Sequence, residues 1–236
     1  MTRHDLKEQL QHDTFTDNVD LAIDYVASHR RNVTRWAVIA LAVLIAVGIG
    51  YAIYRHQKTG RDQALQAALA VVETPVGPQT DASGKTYTTQ QAKDQAAIKA
   101  FSGVASKYKG SEQGDAAQYY LGGLQAEQGK YAEAEANFKA VAGSSSQVSA
   151  LAKVALAELY SGEGKTEQAV NIAEGLIKNP APLVSKDQAT VLLVSVLKNS
   201  DPKRAKQVAD SLKNPSQRPE VQRAIDQVMQ NTQNAK

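Results

Sequence analysis

An uninterrupted apolar run near the start of the chain constrains its fold more than any other feature. From Trp36 to Tyr54 the sequence reads WAVIALAVLIAVGIGYAIY, without a single charged residue. As an α-helix, which rises about 1.5 Å per residue, this run measures about 28 Å, close to the thickness of the hydrocarbon core of a bilayer. Arg35 and Arg55 flank it, as is typical of a membrane-spanning helix. We therefore predict a single transmembrane anchor.

Two other interpretations of the run are a buried helix of a soluble core and a cleaved signal peptide. The signal peptide is disfavoured because the run is long and a polar segment of 35 residues precedes it. Three basic residues lie close to the run on each side, so the positive-inside rule leaves the orientation of the anchor open.

Within the predicted anchor, small residues recur at helical spacing and form a stripe along one face. Ala42, Ala46 and Gly50 recur every four residues. Such a stripe permits two helices to approach closely in lipid. These three residues are therefore candidates for helix packing within the membrane, and homo-oligomerisation through the span is an open possibility.

The remaining sequence indicates helices and no strands. Apolar residues at helical spacing predict a short amphipathic helix around residues 17–30 and another helix over Arg61–Glu73. Residues 74–89 are rich in Pro, Gly and Thr and predict a linker. From about Gln90 onward, Ala-rich helical patterns continue to the end. We therefore predict an all-α chain in four segments: 1–35 with the amphipathic helix, 36–54 as the transmembrane helix, 55–90 as a juxtamembrane helix and linker, and 91–236 as a helical domain.

The helical domain contains a repeat of about 35 residues. Gly129 and Gly164 are separated by that distance, as are Ala134 and Ala169. Small alanines allow the two helices of a hairpin to pack closely, and each glycine, followed by lysine, suits a left-handed turn between the helices. Hairpins of this kind leave an apolar face open, so they are expected to stack into a solenoid.

The repeated residues resemble the tetratricopeptide repeat, with its L-G…Y…A…F pattern. One full copy covers about 115–148, a second covers 150–183, and a third is degenerate. In the first copy Gln118 and Gln125 stand where the repeat usually has Trp and Tyr. Three large side chains are expected to fill the space between hairpins, namely Leu121, Tyr131 and Phe138. A terminal helix, PEVQRAIDQVMQ, is predicted to cap the last hairpin with Val221, Ile225 and Val228.

The layout of the whole chain resembles the YfgM-like family. A short helix before the span, one span near residue 40, an Ala-rich helix from Arg61 and divergent repeats carry the resemblance. That family consists of single-span bacterial inner-membrane proteins with a periplasmic tetratricopeptide domain, associated with the SecYEG translocon. The resemblance implies a cytoplasmic N-terminus, a periplasmic C-terminal domain, and partners among Sec translocon subunits, periplasmic chaperones and exported chains.

The sequence offers no set of residues for catalysis, a metal or a cofactor. Cysteine is absent, and the histidines, none of which has metal-ligand spacing, all precede the repeats: His4, His12, His29 and His56. The part after the span carries 22 basic and 18 acidic residues, spread thinly and without an aromatic ladder. We therefore predict no enzymatic activity, no catalytic, metal or cofactor site, and no nucleic-acid partner.

Binding is the function that these exclusions leave. A stacked helical solenoid presents a concave groove, mainly from the first helix of each hairpin. Tyr119, Glu127 and Glu158 are predicted to face this groove. We therefore predict a membrane-anchored protein-binding adaptor that assists export or periplasmic chaperone hand-over. The alternatives are a self-assembling envelope scaffold of secretion or cell-wall machinery, and a cytoplasmic signalling adaptor if the topology is reversed.

Overall fold

The computed structural model describes residues 30–77, 86–211 and 219–230. Its compact units are Met1–Lys58 and Thr59–Lys236. The amphipathic helix predicted around 17–30 lies outside the described residues, apart from its last position. The described residues form the helices α1 (Arg30–Glu73), α2 (Gln90–Lys107), α3 (Glu112–Glu127), α4 (Tyr131–Ala142), α5 (Ser149–Gly162), α6 (Thr166–Lys178), α7 (Lys186–Ser200), α8 (Pro202–Ser211) and α9 (Pro219–Gln230).

The all-α prediction is confirmed for the described part of the chain, where no strand is found. Two isolated bridges occur in this part, one between Ala181 and Val184 and one between Val76 and Tyr87, on the two sides of the predicted linker. Gly77 N–H donates to the Tyr87 carbonyl at 3.0 Å, and Tyr87 N–H donates to the Pro75 carbonyl at 3.1 Å. The ends of the linker are thereby held together.

Helix α1 contains the apolar run and is the one described helix long and apolar enough to cross a membrane. Its apolar side chains are open to the surroundings, Trp36 at 71% and Leu44 at 68% exposure. The sequence predicts this run and the helix over Arg61–Glu73 as separate elements, whereas the structure joins them into one helix. No proline interrupts the helix between the two parts, and Gly60 alone costs about 1 kcal/mol of helix propensity.

In the second unit, the C-terminal part of α1 packs against α2 and α3. Ala68, Phe101 and Ala117 are buried in this cluster, with Leu65 and Leu69 partly buried beside them. The Gln113 side-chain amide also donates to the Asp62 carboxylate at 2.6 Å. The C-terminal part of α1 is therefore an integral part of the helical domain.

The predicted repeats are helical hairpins, and the third copy forms one despite its degenerate sequence. The hairpins are α3–α4, α5–α6 and α7–α8, and their helices contact the next hairpin in turn. Ala134, Ala169 and Ala205 are fully buried at corresponding positions of the second helices. Gly129 and Gly164 have φ of 74° and 75°, which confirms the predicted left-handed turns.

Three large side chains were expected to fill the space between hairpins, and two of them do so. Leu121 and Phe138 are buried, whereas Tyr131 is 50% exposed, so that prediction is wrong. Tyr131 is the first residue of α4. It shares a helix face with Ala134 and Phe138 but lies at the N-terminal end of the helix, where the described elements leave half of its surface uncovered.

The terminal helix α9 caps the stack as predicted. Ile225 is buried with Val194 of α7 and Ala209 of α8, and Val221 and Val228 pack against the same cluster. The apolar face that the last hairpin would otherwise expose is therefore covered.

Candidate protein-binding groove

A groove of about 500 Å³ lies among α2, α3 and α5, with Phe138 of α4 and Val72 of α1 at its edges. We refer to this cavity as the groove. Its floor is apolar and rich in aromatic rings. Phe101 stacks on Tyr120 with 5.2 Å between ring centroids, and Tyr119 lies 5.6 Å from Tyr120 and 6.0 Å from Phe138. Tyr120 is 42% exposed, so part of this aromatic cluster is open to a ligand.

The three residues predicted to face a groove all line this one. Tyr119 and Glu127 come from α3, and Glu158 comes from α5, the first helices of adjacent hairpins. Helix α2 contributes more of the wall than the sequence analysis anticipated, through Lys93 and Asp94 among others. A role for the three predicted residues in binding a partner stays a prediction.

The wall of the groove holds two polar groups whose ionisation is shifted. Burial, followed by the nearby Glu158 carboxylate, raises the pKa of the Tyr119 hydroxyl. Burial also raises the pKa of the Glu158 carboxyl. The Glu158 side chain is exposed to solvent, yet it lines a concave surface whose atoms displace part of the water around its carboxyl group.

Polar contacts replace aromatic packing inside the first hairpin. The Gln118 amide donates to Asn137 Oδ1 at 3.2 Å, and Asn137 Nδ2 donates to Gln125 Oε1 at 2.6 Å. Gln118 and Gln125 are the residues that stand where the repeat usually has Trp and Tyr. A hydrogen-bonded bridge through Asn137 therefore connects α3 to α4 at these positions.

A charged cluster around Glu135, which the sequence analysis did not identify, joins the first hairpin to the second. The Glu135 carboxylate accepts from Lys139 at 2.6 Å, from the Tyr160 hydroxyl at 2.9 Å and from Lys165 at 3.4 Å. Hydrogen bonds from Lys139 and Tyr160 lower the pKa of Glu135 to about 2. Lys165 also lies 5.2 Å above the Tyr160 ring, a cation–π distance. This cluster fixes α4 against α5 and the turn that follows it.

Gly122 of α3 lies in tight contact with the Phe138 ring of α4. A Cβ atom at this position would stand 2.8 Å from Cε1 and 2.9 Å from Cδ1 of Phe138. The neighbouring Gly123 lines the groove and has open space at the same point. Gly122 therefore allows the Phe138 ring to pack directly on the α3 backbone.

The other candidate residues are placed as follows. Ala42, Ala46 and Gly50 lie exposed on α1, and a Cβ at Gly50 would meet no atom within 4 Å, so their packing role stays a prediction. Among the described residues, no group of His, Cys, Asp or Glu side chains could hold a metal ion. Three of the histidines, His4, His12 and His29, lie outside the described part.

Comparison with known proteins agrees with the repeat pattern and with the hairpins. Residues 30–180 match the family model described as a tetratricopeptide repeat-like domain. No curated protein matches the chain, and no solved structure matches it. The family match covers more than half of the chain, from the start of α1 to just past the end of α6. The chain therefore belongs to the tetratricopeptide repeat-like domain family.

Proposed function

We propose that this chain is a membrane-anchored, non-enzymatic adaptor that binds other proteins in the groove. The observation that carries the proposal is the groove itself, which combines an aromatic floor with a few charged groups at its rim. Concave, mostly apolar surfaces with a few placed polar groups are the usual form of a binding site. Repeat domains of this kind are typically protein-interaction modules.

The apolar part of α1 supports membrane anchoring. Trp36 and the side chains from Val38 to Tyr54 are exposed, an apolar surface much larger than soluble monomers usually present to water. A bilayer would cover this surface. An anchor of this kind holds the groove near membrane partners and raises their effective concentration without any new contact.

The layout shared with the YfgM-like family supports the finer part of the proposal. The chain would be a single-span protein of the bacterial inner membrane, with a cytoplasmic N-terminus and a periplasmic repeat domain. Its partners would be Sec translocon subunits, periplasmic chaperones or exported chains, and it would assist export or hand-over to a chaperone.

Photo-crosslinking in living cells tests the groove as the binding site. A photoreactive phenylalanine analogue is placed at Tyr120, which is exposed in the groove, or at Tyr131, which is exposed outside it. We expect protein adducts from Tyr120 and few or none from Tyr131, and mass spectrometry then identifies the partners. Equal adduct patterns from both positions would refute binding in the groove. Adducts lacking any translocon subunit, chaperone or exported chain would refute the proposed role in export.

A reporter fused at Lys236 tests the topology. We expect activity from a reporter that works in the periplasm and none from one that works in the cytoplasm. The opposite result would favour the signalling adaptor with cytoplasmic repeats.

A self-assembling scaffold is the second candidate, favoured by the exposed small-residue stripe on α1. Gly50→Leu would block close helix approach at the stripe, whereas Gly48→Leu adds the same side chain on a different face of the helix. Light scattering of the full chain in detergent measures the oligomer size. The scaffold predicts a smaller oligomer for Gly50→Leu alone, and the adaptor predicts no change for either variant.

A further inference from the structure

We propose that the groove selects a partner segment in which lysine or arginine lies beside large apolar side chains. This inference rests on the proposed function and specifies the chemistry of the partner. The observation behind it is that an aromatic floor and the carboxylates of Glu127 and Glu158 line the same groove.

The floor of the groove accounts for the apolar part of the segment. Its volume of about 500 Å³ falls within the range of about 300–1,000 Å³ that is typical of ligand pockets. Leu124 and Leu159 line it together with the exposed ring of Tyr120. An aromatic or long aliphatic side chain entering here would displace water from these groups, which is the main favourable term in such binding.

The rim of the groove accounts for the basic part. Three carboxylates line it, those of Asp94, Glu127 and Glu158, against a single ammonium group, that of Lys93. Asp94 accepts a hydrogen bond from the Gln90 amide at 2.6 Å. The carboxylates of Glu127 and Glu158 make no hydrogen bond or ion pair with the described residues, although the Glu158 charge acts on the Tyr119 hydroxyl.

Two lysines close to the contact between the first and second hairpins, Lys139 on α4 and Lys165 before α6, pair with another acid. Lys139 pairs with Glu135, and Lys165 pairs with Glu163 and Glu135, so Lys93 is the one cation among the described lining residues to offset the rim carboxylates. Burial already raises the pKa of Glu158, so a cation that pairs with it would relieve an existing desolvation cost. A basic side chain therefore gains more here than at an open surface.

The same features disfavour other segments. An acidic segment would place like charges against Glu127 and Glu158 across the groove. An uncharged apolar segment would cover both carboxylates without giving them a partner, which costs free energy. Specificity of this kind arises from the penalty on the wrong ligand as much as from attraction to the right one.

Fluorescence anisotropy with the full chain in zwitterionic lipid nanodiscs tests the inference. The probes are three labelled peptides of equal length and equal apolar content: GKLFKALFKLKG, GELFEALFELEG and GSLFSALFSLSG. Binding to empty nanodiscs is subtracted. We expect the basic peptide to bind about tenfold more tightly than the serine peptide, a difference of about 1.4 kcal/mol, and the acidic peptide to bind most weakly.

Substitutions assign this preference to the rim. Glu127→Gln combined with Glu158→Gln should abolish the tenfold advantage of the basic peptide, whereas the control Glu133→Gln, on α4 outside the groove, should keep it. Glu158→Lys should shift the preference toward the acidic peptide, a gain that misfolding cannot produce.

Two results would overturn the inference and leave the proposed function standing. They are equal affinity for the basic and serine peptides, and an unchanged preference in the doubly substituted chain. The absence of binding by all three peptides, together with the absence of adducts from Tyr120, would overturn both.

Discussion

Gly122 offers the sharpest test of the packing inside the first hairpin. Its Cα lies against the ring of Phe138, which is buried and also contacts Tyr119 at 6.0 Å between centroids. A methyl group added at this position would overlap the ring, because 2.8 Å between carbon atoms is well inside their optimal separation of about 3.5–4.0 Å. Since the ring is enclosed, it cannot turn away freely.

The expected size of the effect follows from a comparison with Gly123. Alanine is favoured over glycine in a helix by about 1 kcal/mol, and this gain applies equally to Gly122→Ala and Gly123→Ala. Only Gly122→Ala also overpacks the hairpin, which costs about 1–3 kcal/mol. We therefore expect Gly123→Ala to be more stable than the unsubstituted chain, and Gly122→Ala to be about 2 kcal/mol less stable than Gly123→Ala.

Thermal unfolding of the full chain in detergent, followed by circular dichroism, measures this difference. For a unit of this size, about 2 kcal/mol corresponds to roughly 4–8 °C in Tm. Phe138→Leu should reduce the cost of Gly122→Ala, because a smaller side chain leaves room for the methyl group. Equal Tm values for Gly122→Ala and Gly123→Ala would refute the close contact, as would strict additivity of Gly122→Ala with Phe138→Leu.

Three further predictions concern the charged cluster, a helix cap and a turn. Glu135→Gln should cost about 1 kcal/mol at pH 7, because surface screening reduces the value of ion pairs. The folded pKa of Glu135, about 2, lies below its ordinary value of 4.5, so this contribution is complete above that ordinary value and is lost as the pH falls toward 2. The urea midpoints of the unsubstituted chain and of Glu135→Gln should therefore converge as the pH falls from 4.5 toward 2. A difference that stays constant over this range would contradict a lowered pKa of Glu135. Ser185→Ala removes the capping box of α7 and should cost about 1 kcal/mol in urea unfolding, whereas Ser185→Gly should cost only a few tenths. Gly164→Ala strains a left-handed turn and should lower Tm, whereas Gly162→Ala, in the last turn of α5, should not.

Local and periodic features of this chain could be predicted from its sequence. The burial of Ala134 and Ala169 follows from a period near 35 residues, since equivalent positions in stacked hairpins meet equivalent neighbours. The left-handed turns follow from Gly129 and Gly164 themselves, because few other residues adopt that conformation without cost. The apolar run is visible because no charge interrupts it.

Features that depend on where hairpins meet could not be predicted in the same way. The Glu135–Lys139 pair has the helical spacing of four residues, but Tyr160 and Lys165 join it from another hairpin. The aromatic cluster brings Phe101 and Tyr120 together from α2 and α3. The prediction that Tyr131 is buried was wrong for a similar reason. Periodicity indicates which face of a helix is apolar, but it does not indicate how far along that helix the neighbouring helix extends.

The geometry of the groove depends on contacts between helices rather than on loops. Gly122 and Phe138 set the approach of α3 to α4, and the cluster around Glu135 sets α4 against α5. Through these two contacts, Glu127 on α3 and Glu158 on α5 are held at the rim of the groove before any ligand arrives. Because each repeat in a stacked array contacts only its neighbours, the shape of the groove is decided by the C-terminal part of α1 and by α2 to α5. The later helices α7 to α9, which close the apolar end of the stack, contribute no lining residue to the groove, and so they stabilise it without selecting its ligand.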